Sequence, residues 1–176
     1  MLQARSVLTQ AIALAPRESG ARALMIAQIL GEQGRLDEAR DLAAEGVSAG
    51  ADPYEMDLAV AEAARLSDDP VTEVRALQDA IARRGHDVRA HYRLGLAYYR
   101  AARYPRAILA LESATRVSHE HAPAWFYLGV SAEREYDFRL AEKAFARAVD
   151  LAPENPMYRT HRNRFVDRLQ SGLALK

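Results

Sequence analysis

The feature that most constrains this chain is a period. Aligned with itself, the sequence repeats every 34 residues without a gap, from unit starts at Gly20, Tyr54, Val88 and Ala122, with a partial unit from Pro156. The seventh residue of each unit is Ile26, Val60, Leu94 or Leu128, and the eighth is Ala27, Ala61, Gly95 or Gly129. The twentieth is Ala39, Glu73, Ala107 or Ala141, and the twenty-seventh is Gly46, Ala80, Ala114 or Ala148. A fixed period of this size specifies a solenoid, because one short unit cannot bury its own apolar face and must stack on a neighbour.

Within each unit the apolar residues fall at helical spacing in two blocks. The blocks are broken by Gln33-Gly34, Asp68-Asp69-Pro70, Arg103-Tyr104-Pro105 and Tyr136-Asp137. Each unit therefore reads as helix, tight turn, helix. Asp52-Pro53, Asp69-Pro70 and Asn155-Pro156 each set a capping side chain before a proline at the first helical position. Pro153 stops the helix before it, having no amide hydrogen to give. The recurring small residues have a packing reason: where helices approach to ~8–10 Å only Gly or Ala fits between them. Gly129, Ala141 and Ala148 read as such crossing points, with Trp125 and Phe145 filling the spaces beside them.

Composition agrees with closely packed helices, being 49% hydrophobic but only 7% aromatic. Twelve of the thirteen aromatics lie at or after Tyr92, which predicts a stiffer second half. The absence of cysteine excludes disulfides, thiolate zinc sites and cysteine nucleophiles. No apolar run approaches the ~18 residues that suggest a membrane span. Ser6, Thr9 and Gln10 interrupt the apolar N-terminal stretch, so no secretory signal is read there and a full-length chain is expected in the cytoplasm. Net charge is zero but unevenly spread. Residues 1–87 carry nine basic and fifteen acidic residues, net −6, and residues 88–176 carry fifteen and nine, net +6. That asymmetry bears on encounter and self-association rather than on fold.

Catalysis finds no foothold. Ser118-His119-Glu120-His121 has the letters of a hydrolytic or metal site, yet it falls between units with no third ligand and reads as a surface turn. Gly31-Glu32-Gln33-Gly34 lacks the lysine and the strand-to-helix setting of a phosphate loop. Asp68-Asp69 reads as a helix cap. The expectation is no catalytic residue, no metal and no cofactor. The arginine-rich second half shows no ladder of like polar side chains at one repeat position, so a solvated surface is expected there rather than an RNA reader.

Trp125-x-x-Leu128-Gly129 with Ala141, Phe145, Ala148 and Pro153 closely resembles the tetratricopeptide repeat, as do Leu94-Gly95, Tyr98, Ala107, Ala114 and the run Gly34 to Ala39. The resemblance covers nearly the whole chain. It is strong in units 88–121 and 122–155, fair in 20–53, and degenerate in 54–87, where Asp57 replaces the usual aromatic and Glu73 the usual alanine. Residues 1–19 resemble the second helix of a partial repeat, and 156–176 a capping helix and tail. In that helix Tyr158, Phe165, Val166 and Leu169 are predicted to cover the last unit, with Arg159, Arg162, Arg164 and Arg168 facing water. The predicted architecture is an all-α, right-handed α–α superhelix of about four helix pairs with a capping helix at each end.

The resemblance implies a non-enzymatic module that binds a peptide or helix of a partner protein on the concave face, as adaptor or scaffold. Transferred position by position, the groove residues are Leu58, Glu62 and Arg65; then Arg89, Tyr92, Leu96, Tyr99 and Arg100; then Phe126, Val130, Glu133 and Arg134. Members that clamp a terminal carboxylate with Lys and Asn are matched only at Arg89 and Arg93, since Leu24, Gln28 and Ala59 stand at the other positions. An apolar strip with arginine edges suits a peptide with hydrophobic and acidic residues. No nucleic-acid partner and no membrane insertion are expected. One alternative is self-assembly through the oppositely charged halves. Another is a docking segment of a larger bacterial secretion, pilus or polysaccharide-export protein.

Overall fold

A computed structural model describes residues 19–172 of the protein. The predicted helix over residues 1–19 thus lies almost wholly outside the described residues. Among these, every regular element is an α-helix: α1 (Ser19–Glu32), α2 (Leu36–Ser48), α3 (Pro53–Leu66), α4 (Pro70–Arg83), α5 (Val88–Arg100), α6 (Tyr104–Val117), α7 (Ala122–Arg134), α8 (Phe138–Leu151) and α9 (Pro156–Gln170). The alternate helices α1, α3, α5, α7 and α9 begin 34, 35, 34 and 34 residues apart. The all-α helix-turn-helix array expected from the period is therefore what the chain forms.

The starts are set by side chains. Asp52 accepts the Tyr54 amide at 3.0 Å, Asp69 accepts those of Val71 and Thr72, and Asn155 accepts that of Met157. Each precedes a proline that needs no such partner. Asp137 caps α8 and His121 caps α7 in the same way. The turns inside the pairs are four copies of one device. Gly34, Asp68, Ala102 and Tyr136, spaced by the repeat, all have positive φ, between 54° and 67°. The next residue donates its amide back to the carbonyl five positions earlier: Arg35 to Leu30, Asp69 to Ala64, Arg103 to Tyr98 and Asp137 to Ala132, at 2.8–2.9 Å. This left-handed helix terminus satisfies carbonyls the helix leaves open and reverses the chain within three residues.

The chain divides into two compact units, residues 1–90 and 91–176. In the first, α3 packs against α1, α2 and α4. Its core is built from Ala23, Ala27, Leu30, Ala39, Met56, Ala59 and Ala63, and the small apolar space left among them is about 20 Å³. Gly31 lets α1 and α3 meet, since a Cβ there would lie 2.8 Å from the Ala63 carbonyl oxygen. In the second unit α7 packs on α6 and α8, and α9 packs on α8. Its core holds Phe126, Val130, Phe145, Tyr158 and Phe165 among alanines 122, 132, 141 and 148. A Cβ at Gly129 would stand 2.6 Å from the Phe145 ring. Gly129 is therefore a close-approach point, with Phe145 as the filler beside it. In α9, Tyr158 and Phe165 are buried and Val166 and Leu169 partly so. Arg159, Arg164 and Arg168 are exposed, whereas Arg162 is half-buried rather than in water.

Candidate functional site

In the second unit, Tyr92, Leu96 and Tyr99 recur at helical spacing along α5 and are all half-buried. Tyr127 of α7 joins them. Its ring centroid lies 6.2 Å from Tyr92 and 5.6 Å from Tyr99, which in turn lies 5.9 Å from Tyr104. His121 closes the far end, 4.7 Å from Tyr92. Its Nδ1 accepts the Ala124 amide at 3.1 Å, and burial lowers its pKa, so the ring is held neutral in one tautomer. Burial likewise pushes the Tyr92 hydroxyl up to about 12. The result is a partly accessible strip of neutral aromatic rings with polar tips. Such residues contribute large contact area at low conformational cost. Arg100 and Arg134 are exposed in the last turns of α5 and α7.

Three of the predicted groove residues do not belong to an accessible surface. Phe126 and Val130 are each only 6% exposed. For Phe126 the reason is α9: Tyr158 stacks on it at 4.8 Å and 24°, and His161 meets the same ring edge-on at 5.3 Å, while Val130 is buried in the same core cluster. Glu133 is taken by the same helix, accepting from His161 Nε2 at 3.1 Å and from Arg168. Burial acts to raise the Glu133 carboxyl, but these two partners outweigh it and hold the pKa below the usual range. The third correction is Leu58, which is 4% exposed within the first unit.

The charged residues predicted in the first unit are engaged locally. Arg65 pairs with Glu62 one turn back at 2.5 Å. Arg89 binds Asp87 at 3.1 Å and Glu55 at 2.8 Å, with its guanidinium 5.3 Å from the Tyr54 ring centroid. The hydrogen bonds that Arg89 donates to Asp87 and Glu55 raise its pKa further. The predicted residues thus fall into two local groups, in one of which Tyr92, Leu96 and Tyr99 are half-buried and Arg100 and Arg134 are exposed.

Tyr127 and His121 are the residues that reading by repeat position missed. A signal for Tyr127 was present: Trp125-Phe126-Tyr127 are consecutive, and three neighbours on a helix span about 200°, so they cannot all face one core. The Ser118–His121 segment is a turn, in which the His119 carbonyl accepts the Trp125 indole N–H at 2.9 Å. Among the described residues no His, Asp or Glu cluster could hold a metal, and no helix is long and apolar enough to cross a membrane.

Helix pairs at a 34-residue spacing, left-handed turns at the same period and glycines at close helix approaches define a helical-repeat protein. The family model described as Tetratricopeptide repeat matches residues 74–116 and, in an overlapping copy, 92–156. Residues 74–156 thus match the tetratricopeptide repeat in sequence, and the fold is the all-α solenoid of tetratricopeptide-repeat proteins. Among solved structures it is similar to MamA 41-end from Desulfovibrio magneticus RS-1, with 22% identity, TM-score 0.70 and 92% of each chain covered. It is also similar to YrrB, described as a TPR protein with an unusual peptide-binding site, with 17% identity, TM-score 0.65, and 93% of this chain and 87% of that one covered. PilF of Pseudomonas aeruginosa matches with 14% identity and TM-score 0.70 over 97% of this chain and 73% of that one. At these identities the likeness is one of fold. No curated protein matches the chain in sequence.

Proposed function

We propose that the protein is a non-enzymatic adaptor that binds a peptide or short helix of a partner on the Tyr92–Tyr99–Tyr127 strip. The observation that carries this is the partial burial of three tyrosine rings on α5 and α7. They are held by mutual ring contacts and remain partly open. Arg100 and Arg134 add positive charge, so the preferred segment is apolar with acidic residues beside it. The family and the peptide-binding site named for YrrB support a protein ligand in general, and the arrangement of rings and arginines supports this one.

The test is panning of a random peptide library, followed by calorimetry on the enriched sequences. Enrichment of apolar-acidic peptides is expected, with a loss of about tenfold or more for Tyr99→Ala combined with Arg100→Glu, the size of an interface anchor. Peptides that bind both proteins equally would remove the strip from the reading. Enriched peptides no more acidic than the library would remove the arginine edge.

A second reading rests on charge. The sign change in the sequence falls within three residues of the division between the compact units, so one unit is acidic and the other basic. Head-to-tail association would then produce a mass that falls as salt rises, read by light scattering. A salt-independent monomer would dismiss it.

A further inference from the structure

The degenerate second repeat, which the proposed strip does not use, leaves a cleft of its own. The helices α2 and α4 both pack on α3, and between them lies an open cleft of about 240 Å³. It is lined by Arg40 of α2, Asp57 and Val60 of α3, and Thr72, Arg75 and Asp79 of α4. At the same repeat position as Asp57, the last full unit carries Trp125, which packs against that unit's core. A small carboxylate at this position fills far less space than an indole, and the space remains.

The lining is ordered by charge. Hydrogen bonds from Thr72 hold the Asp69 carboxyl, at the start of α4, below its usual range, Arg40 lies close enough to add to that, and Arg75 follows in the second turn of the helix. Asp79 comes one turn later, roughly 6 Å further along the axis. Asp57 lies at that same end, paired with Arg83 at 2.5 Å and near enough to Asp79 to be raised by it, after the larger effect of burial. Arg75 and Asp79 make no ion pair among the described residues, and Arg40 has only a loose one, 3.8 Å to Asp37. On the wall beside them Val71 is 77% exposed. One end of the cleft thus offers two guanidiniums and the other a carboxylate, with Val60 of α3 and Ala76 of α4 as the apolar lining beside them.

We propose that this cleft is a second peptide site, distinct from the tyrosine strip, which takes an extended acidic–apolar–basic triplet of a partner protein. In an extended chain the residues on either side of a central one lie about 6.6–6.8 Å apart, close to the rise between Arg75 and Asp79. The central apolar side chain enters against Val60 and Ala76. The acidic neighbour reaches Arg40 and Arg75, and the basic neighbour reaches Asp79.

The test uses the full chain, labelled with ¹⁵N, and blocked tripeptides as probes. Ac-Glu-Leu-Lys-NH2 is expected to shift the amides of residues 71–79 and of Arg40, with affinity in the millimolar range typical of so small a contact. Ac-Gln-Leu-Gln-NH2 should bind at least about fivefold more weakly, because both charge pairs are lost. Arg75→Glu changes an exposed residue and should leave the spectrum folded, yet weaken the Glu-Leu-Lys peptide by about tenfold and improve Ac-Lys-Leu-Lys-NH2. Equal binding of the Gln peptide, shifts that survive Arg75→Glu unchanged, or shifts confined to Tyr92, Tyr99 and Tyr127 would each overturn the proposal. The last outcome would leave the tyrosine strip standing.

Discussion

The two compact units share one backbone plan and differ in what fills it. In residues 19–90 the core is rich in alanine, with Leu30, Tyr54, Met56, Leu58 and Leu77 as its larger buried members. In residues 91–172 three phenylalanines and a tyrosine do the filling, and Phe126, Phe145, Tyr158 and Phe165 form a continuous chain of ring contacts. The lesson concerns how a repeat can be filled. A unit of alanines is held by close approach of backbones, so its weak point is anything that pushes helices apart. A unit of aromatics is held by rings in spaces between helices, so its weak point is anything that empties a space.

Deleting a ring should therefore give the largest effect. Phe145 is fully buried and touches Phe126, His161 and Phe165. Phe145→Ala should cost about 3–5 kcal/mol in denaturant unfolding, against about 2–3 for Leu30→Ala in the alanine-rich unit. Equal losses would break the comparison. Hydrogen exchange on the unmodified protein offers an independent check, with stronger protection expected for amides of α7 and α8 than for those of α1 and α2.

Insertion is the converse. Gly31→Ala places a methyl group 2.8 Å from a backbone oxygen of α3, which cannot swing aside, so about 2 kcal/mol of destabilisation is expected despite the better helix propensity of alanine. Thermal unfolding of that variant beside Gly129→Ala sharpens the contrast, because at Gly129 the obstacle is the Phe145 ring. A Gly31→Ala protein as stable as the parent would mean that α1 and α3 are not locked together by their approach.

The period, the helix pairs and three of the caps were legible in the sequence because they depend on local patterns: spacing, proline, and Asp or Asn before it. Tyr92 and Tyr99 were reached through repeat position, and both lie half-buried at helical spacing on α5. The fate of Phe126 and Glu133 could not be reached that way. Repeat position places them on a groove wall, but whether that wall is open depends on where α9 lies, and that follows from the stacking of Tyr158 and the reach of Arg168, 35 residues from Glu133. The pairing of Arg89 escaped for a similar reason, since its partner Glu55 stands one whole repeat away.

The α9 contact also gives the aromatic unit a response to acid. The Glu133 carboxyl is depressed in the fold, so the stability it supplies is present above the ordinary glutamate value near 4.5 and is lost as pH falls through the lower folded value. Asp57 in the other unit behaves oppositely. Burial raises its carboxyl against the pull of Arg83, so the stability linked to it is present at low pH and declines as pH rises through the raised value. Glu133→Gln should cost about 1 kcal/mol at pH 7 and almost nothing at pH 3. Asp57→Asn should be nearly silent at pH 7, where loss of the Arg83 pair offsets relief from burying a charge. Unfolding curves at the two pH values decide it, and a Glu133→Gln deficit that persists at pH 3 would show that geometry rather than charge holds α9.

The smallest effect is expected where the two units should not differ at all. Their turns use one left-handed residue each, and only Gly34 takes that conformation without strain. At Ala102 the Cβ crowds its own backbone, and a glycine there relieves roughly 1–2 kcal/mol while adding freedom to the unfolded chain. Ala102→Gly should therefore raise stability by about 0.5–1 kcal/mol. Asp68 has a short polar side chain that tolerates this conformation, so Asp68→Gly should gain less, within a few tenths of zero. Tyr136, 73% exposed, should follow Ala102 rather than Asp68. A gain that tracked the unit instead of the residue type would mean that the turns sense the cores they connect. A gain that tracks residue type alone would place the difference between the two halves in the filling of the helices.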